Sequence, residues 1–230
     1  MRVSSKTVAA TSIFASLHAI LYLWSVDLWR SWSIYLEPIE GVILGPYIGF
    51  ASALLGSLAA RAAKPTDLWM FGVIAEPVGV MTCGFLIKKQ WQPVLAIYGL
   101  MLGAYFIHPF GRQLPLWAIM DILVSLVLAF PVALLCGKLS QEDNRLLPLV
   151  VPLIGFVGTA TDALTRIFLL IPLDFYTVLG WTEEMVYSAF ILGAADSFVE
   201  DILILIVSSL LGVPLVASLR KVPELNQPLS

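Results

Sequence analysis

Charge is what this chain has least of. Only 13% of its 230 residues are Asp, Glu, Lys or Arg, about half the share of an ordinary soluble domain. The slight acidic excess, net -3, leaves no basic footprint for nucleic acid. Cysteine is almost absent as well: Cys83 and Cys136 sit far apart in separate apolar runs. They read as small buried hydrophobes, with neither a disulfide framework nor a metal-binding spacing. No G-x-x-x-x-G-K-[ST], H-E-x-x-H or G-x-S-x-G occurs, so the chain has no P-loop, zincin or nucleophile-elbow signature. Gly193-Ala-Ala-Asp196 has its glycine one place too early for an intramembrane aspartyl protease. Neither an enzyme nor a bound cofactor is expected.

What is present is apolar. Hydrophobic residues make up 59% of the chain and the mean hydropathy is +0.91. The class expected is an all-α, polytopic membrane helix bundle, with residues 1–230 forming a single integral membrane domain. Runs of spanning length cover 7–26, 36–61, 68–87, 93–110, 115–137 and 148–172. The run 186–219 contains Asp196, Glu200 and Asp201 and is too long for one span. It reads as a short helix over 185–197 followed by a span over 199–219. That gives six transmembrane helices, or seven if every run crosses. The first run follows Arg2 and Lys6 without a small-x-small cleavage site, so it reads as an uncut helix.

The second run carries small residues at every fourth position, Gly41, Gly45, Gly49, Ala53 and Ser57. On one helix these share a face along which another backbone can approach. Pro46 removes a backbone donor and predicts a kink at Gly45-Pro46. Glu37 and Glu40 give this helix an acidic mouth. If seven spans ended with the C-terminus inside, Arg30, Lys88, Lys89, Lys138, Arg145, Arg220 and Lys221 would face Arg2, Lys6, Arg61, Lys64 and Arg112 across the bilayer. So even a division leaves the orientation open.

Glu40, Glu76, Asp121, Asp162, Asp196, Glu200 and Asp201 all fall in or beside apolar runs. Each would cost about 2.5–3.5 kcal/mol at a lipid-facing helix centre, so most must face the bundle interior, and an intramembrane ionisable residue marks a functional site by default. Asp162 and Arg166 stand four apart on one helix and either pair internally or hold a ligand by charge. Asp196 and Glu200, also four apart, repel, which implies a cation, a shared proton or solvent. Glu76 precedes Pro77, which biases it out of helical geometry and suggests a polar site beside a helix break. His108 precedes Pro109 at a helix end, as an interfacial group or a ligand contact. His18 reads as a packing or interface residue. Trp24, Trp29, Trp32 and Tyr35 form an aromatic belt or a lid.

Three stretches together resemble the substrate-binding S components of energy-coupling-factor (ECF) type ABC transporters, archaeal members above all. Ala15-Ser-Leu-His-Ala19, with Thr7 and Thr11 before it at the same spacing, is similar to the alanine-x-x-x-alanine face through which S components dock on the transmembrane T component. Glu40-Gly-Val-Ile-Leu-Gly-Pro-Tyr-Ile-Gly49 resembles the family's second helix, and the acidic Val199-Glu-Asp start with the Gly212-Val-Pro-Leu215 close resembles its last. Gly158-Thr-Ala-Thr-Asp162 is a fourth point of similarity.

The resemblance implies a plasma-membrane receptor for a vitamin or similar micronutrient, working with a T component and two ATPase subunits. It implies a ligand near the outer helix ends, under the loop from Trp24 to Tyr35. The substrate-binding candidates are Trp32, Glu37, Glu40, Glu76, His108, Asp162 and Arg166. Thr11, Ala15 and Ala19 are the partner-interface candidates. The family has six helices with both termini on one side, which a seventh span here would violate. The other reading the residues allow is an intramembrane enzyme or proton-coupled carrier working through its buried carboxylates.

Overall fold

The structure is a computed structural model that describes residues 5–24, 31–66, 68–139 and 144–221. It is all-α, and no strand occurs among the described residues. The helices are α1 (Ser5–Leu23), α2 (Glu37–Leu44), α3 (Pro46–Ala63), α4 (Trp69–Ile87), α5 (Trp91–Ile107), α6 (Met120–Gly137), α7 (Leu147–Leu170), the single turn α8 (Phe175–Val178), α9 (Glu183–Val207) and α10 (Val213–Leu219). Five elements are long and apolar enough to cross a membrane: Ser5–Leu23, Trp69–Ile87, Leu116–Gly137, Leu147–Leu170 and Glu183–Leu219. Trp91–Ile107 is apolar but shorter. The chain is a membrane protein built as a helical bundle.

The second apolar run is where the structure departs most from expectation. It does not form one kinked helix, because the chain reverses at Gly45. That residue has φ 76°, a backbone conformation in which a side chain is strained. Beyond it, Gly49 comes back within van der Waals reach of Gly41 Cα and the Glu40 carbonyl. Contacts with the neighbouring helices fix the directions. α3 runs parallel to α1, since Ser52 Oγ donates to the Thr11 carbonyl at 3.0 Å, Gly56 meets Ala15 and His18, and Arg61 lies over the Tyr22 ring at 4.6 Å. α3 runs antiparallel to α4, with Gly49 against Val80 and Arg61 against Glu76. α2 runs parallel to α4, with Glu37 beside Gly79 and Gly41 against Val80 and Cys83. Helices α2 and α3 thus form a re-entrant hairpin. Gly84 makes room for its tip, since a Cβ there would overlap Gly45 C and Pro46 N.

With the hairpin returning to the side it enters from, the chain's described ends, Ser5 and Lys221, emerge on one face. Among the described residues, Lys6, Lys88, Lys89, Lys138, Arg145, Arg220 and Lys221 gather at that basic face, against Arg61, Lys64 and Arg112 towards the opposite face. The seven-against-five division expected for seven spans is redrawn, because the hairpin returns to the side it entered from.

Two further expectations are corrected. Helix α4 continues through Pro77 instead of breaking at Glu76. Both flanks of the proline are packed, with α3 on one side and α7 on the other, so the lost donor does not open the helix. The last run is not a short helix followed by a separate span. It is one element from Glu183 to Leu219 with a π-helical turn at Ser208–Gly212. Its start is capped by Thr182, whose side chain accepts from the Met185 amide at 3.3 Å.

Helix α7 is the axis of the bundle, packed against α4, α6 and α9. Tyr98 of α5 ties it to α6: its hydroxyl lies 2.6 Å from Ser125 Oγ and accepts from Thr161 Oγ1 at 3.1 Å. Cys83 and Cys136 are buried free thiols.

Candidate functional site

A knot of ionisable side chains lies inside the bundle, gathered from five helices. Glu76 is its hub. Arg61 Nη2 donates to Glu76 Oε1 at 2.5 Å and Nη1 to Oε2 at 3.2 Å. Ser57 Oγ also donates to Oε2, and Arg61 Nη1 donates to Ser57 Oγ at 2.6 Å. His18 Nε2 lies 2.9 Å from Glu76 Oε2, and His18 Nδ1 lies 3.2 Å from Glu40 Oε2. The ring thus bridges the two carboxyls through its two nitrogens. From α7, Arg166 donates to Asp162 through Nε at 2.8 Å and Nη2 at 3.1 Å, and Nη2 reaches Glu76 Oε1 at 3.4 Å.

The knot is dry. His18, Glu40 and Asp162 are fully buried, and Glu37, Glu76 and Arg61 nearly so. Glu37, beside Gly79, is the exception to its connectivity: neither carboxyl oxygen hydrogen-bonds to a described residue. Four carboxyls face two guanidiniums and one imidazole, so the set carries more acid than base. Removing four carboxylates from water is tolerable only because most are paired and hydrogen-bonded. Glu76 is the eighth residue of α4, which places the knot about 10 Å below the start of that helix, nearer the face opposite the basic one.

Beside the knot, towards that same face, a half-open cavity of about 260 Å³ lies between α4, α6, α7 and α9. Phe71, Leu170, Trp181 and Phe190 supply its apolar walls, and Asp121, Arg166 and Ser197 its polar groups. Arg166 belongs to both: its side chain is 24% exposed while the carboxylates it binds are buried. Cavity and knot are therefore joined through one guanidinium.

The structure brings Glu37, Glu40, Glu76, Asp162 and Arg166 together in the knot, and of the expected set only Arg166 reaches the cavity. Trp32 lies elsewhere, in an apolar hollow with Leu21, Tyr35, Ile39 and Leu203, so the described part of the proposed lid does not cover the cavity; residues 25–30, with Trp29, fall outside the described residues. His108 sits at the α5 end, its Nε2 3.2 Å from Asp174 Oδ1, and is not among the lining groups of the cavity. Glu200 and Asp201 are buried on α9, while Asp196 is half-buried.

Thr11, Ala15 and Ala19 are half-buried. Thr11 and Ala15 border the α1–α3 seam through their carbonyls. His18 was expected as a packing or interface residue, and it links two carboxylates. Arg61 and Ser57 were also outside the expected site. The signal available for all three was charge balance: acids buried in apolar runs need donors, and few donors other than His18, Arg61 and Arg166 lie in such runs. No protein-family model and no solved structure matches the chain.

Proposed function

We propose that the chain is a membrane-embedded receptor for a small molecule, of the S-component type, which captures a micronutrient for ATP-driven uptake by a T component and two ATPase subunits in the plasma membrane. The observation that carries this reading is the cavity between α4, α6, α7 and α9, which lies towards the face opposite the basic one. Basic residues favour the cytoplasmic side, so the cavity side is the external one. Both described ends on the basic face fit the family's plan of termini on one side, which a seventh span with no hairpin would have broken. Helix α1, the docking helix in the resemblance, is the least covered of the apolar helices near the knot: 17% of its apolar window is buried, against 72% for α4 and 78% for α7. Its free face, away from the α3 seam that Thr11 and Ala15 border, leaves room for a T component.

The test is co-expression with candidate T and ATPase subunits, followed by purification and reconstitution in liposomes. Uptake that requires ATP and all subunits supports the reading. Absence of any stable complex, or uptake by this chain alone, rejects it.

A second reading, a proton-coupled carrier, has one observation in its favour: Glu37 is buried with neither oxygen hydrogen-bonded to a described residue, as a proton-carrying carboxyl would be. In liposomes holding this chain alone, that reading requires uptake driven by an imposed pH gradient and lost in Glu37→Gln.

A further inference from the structure

The polar groups of the cavity are not equivalent, and their difference defines what it can hold. Arg166 is its only guanidinium among the described residues, but that cation is already shared by Asp162, through both carboxylate oxygens, and by Glu76. Around it the buried acids outnumber the bases. An anionic ligand would therefore meet a cation whose charge is already offset, beside carboxylates that repel it.

Asp121 is in the opposite condition. It stands in the first turn of α6, is 6% exposed and lines the cavity. Its Oδ2 accepts from Ser197 Oγ at 2.7 Å, while its Oδ1 is buried with no hydrogen-bond partner among the described residues. The α6 dipole favours a carboxylate at this position but supplies no donor to Oδ1, and a buried acceptor left unmade costs about 1–3 kcal/mol. The same cavity is lined by Phe71, Trp181 and Phe190, and aromatic rings attract a cation and pack against a flat ring.

We infer that this cavity takes a flat, largely apolar molecule carrying a protonated nitrogen or an N–H donor, held at Asp121. The inference rests on reading the chain as a small-molecule receptor and names the chemical class of its ligand. A volume of about 260 Å³ suits a bicyclic ring with a short substituent and lies near the small end of ligand cavities.

Three indoles of similar size and different charge test it: tryptamine, indole and indole-3-acetate, titrated calorimetrically at pH 7 into the purified full chain in detergent, with empty-micelle blanks. A charge-assisted bond at Asp121 predicts that tryptamine binds about tenfold or more tighter than indole-3-acetate, with indole between. Asp121→Asn should bring tryptamine to within about threefold of indole. Ala194→Trp, which fills the cavity but leaves Asp121 in place, should abolish tryptamine binding. Gel filtration verifies that each variant remains folded, and the comparison in the unsubstituted chain stands without them. Equal or tighter binding of indole-3-acetate overturns the inference, as does binding of none of the three or tryptamine binding untouched by Ala194→Trp. These outcomes are independent of ATPase partnership. A chain that prefers tryptamine but forms no complex keeps the ligand class and loses the transporter reading; an ATP-driven complex without that preference does the reverse.

Discussion

His18 Nε2 on α1 lies 2.9 Å from Glu76 Oε2 on α4, and this contact ties the least covered of the long apolar helices to the hub of the buried charges. The same ring reaches Glu40 on α2 through its other nitrogen. One imidazole thus holds three helices that would otherwise meet mainly through small residues. Replacing it by alanine leaves two buried carboxylates each short of a partner, and breaking a buried charge pair on one side costs about 3–5 kcal/mol. His18→Ala should lower the thermal unfolding midpoint of the detergent-solubilised protein by many degrees and loosen α1. Cysteines placed at Gly56 contacts on α1, such as Ala15→Cys, should then become reactive. An unchanged midpoint would mean the contact carries no stability.

The guanidinium of Arg61 binds the same carboxylate bidentately, so the two residues should behave as a unit. Arg61→Met and Glu76→Gln each leave the other side of the pair buried and uncompensated. The double variant removes both charges at once and should be destabilised by less than the sum of the singles, with a coupling of about 0.5–3 kcal/mol. Denaturant titration of the four forms measures it. Additive effects would show that Ser57 and His18 hold Glu76 without help from Arg61.

Gly45 and Gly84 make the hairpin possible in different ways, and their substitutions should separate. Gly45→Ala places a side chain at φ 76° and should cost about 1–3 kcal/mol. Gly84→Ala drives a Cβ into the backbone at Gly45 and Pro46, where no side chain can swing aside, so it should cost more and lower the yield of folded protein. Thermal unfolding midpoints rank the two. Equal tolerance of both would place the hairpin tip farther from α4 than described.

Much of the bundle was legible because a helix of spanning length announces itself by composition alone. The expected runs 68–87 and 148–172 fall within two residues of α4 and α7. The hairpin was not legible, because Gly45-Pro46 is written the same way for a kink as for a reversal. What decides between them is packing: Gly41 fits against Val80 and Cys83, and Gly84 against the tip. Glu76, Asp162 and Arg166 stood out as charges in apolar runs. Their partner His18 did not, since it lies 22 residues from Glu40 and 58 from Glu76, and no local pattern carries that distance. The Asp121 cavity needed three dimensions for the same reason: its walls come from four helices.

The hairpin also decides which connections share a side of the membrane, and that can be read directly. If residues 36–61 crossed as one helix, the connections at Trp24 and at Lys64 would lie on opposite sides. With the chain reversing at Gly45 they lie on the same side, and Lys138 lies across from both. Cys83 and Cys136 are buried, and replacing them by alanine gives a silent background for introduced thiols. In intact cells, an impermeant maleimide should then label Trp24→Cys and Lys64→Cys alike, both of which stand at exposed positions. Lys138→Cys should label only after permeabilisation, since the basic face is expected to be cytoplasmic. Labelling of Trp24→Cys and Lys138→Cys together, with Lys64→Cys protected, would restore the full crossing. It would also move the cavity and its Asp121 to the wrong side for capture from outside, so this labelling pattern bears on the receptor reading as directly as it bears on the fold.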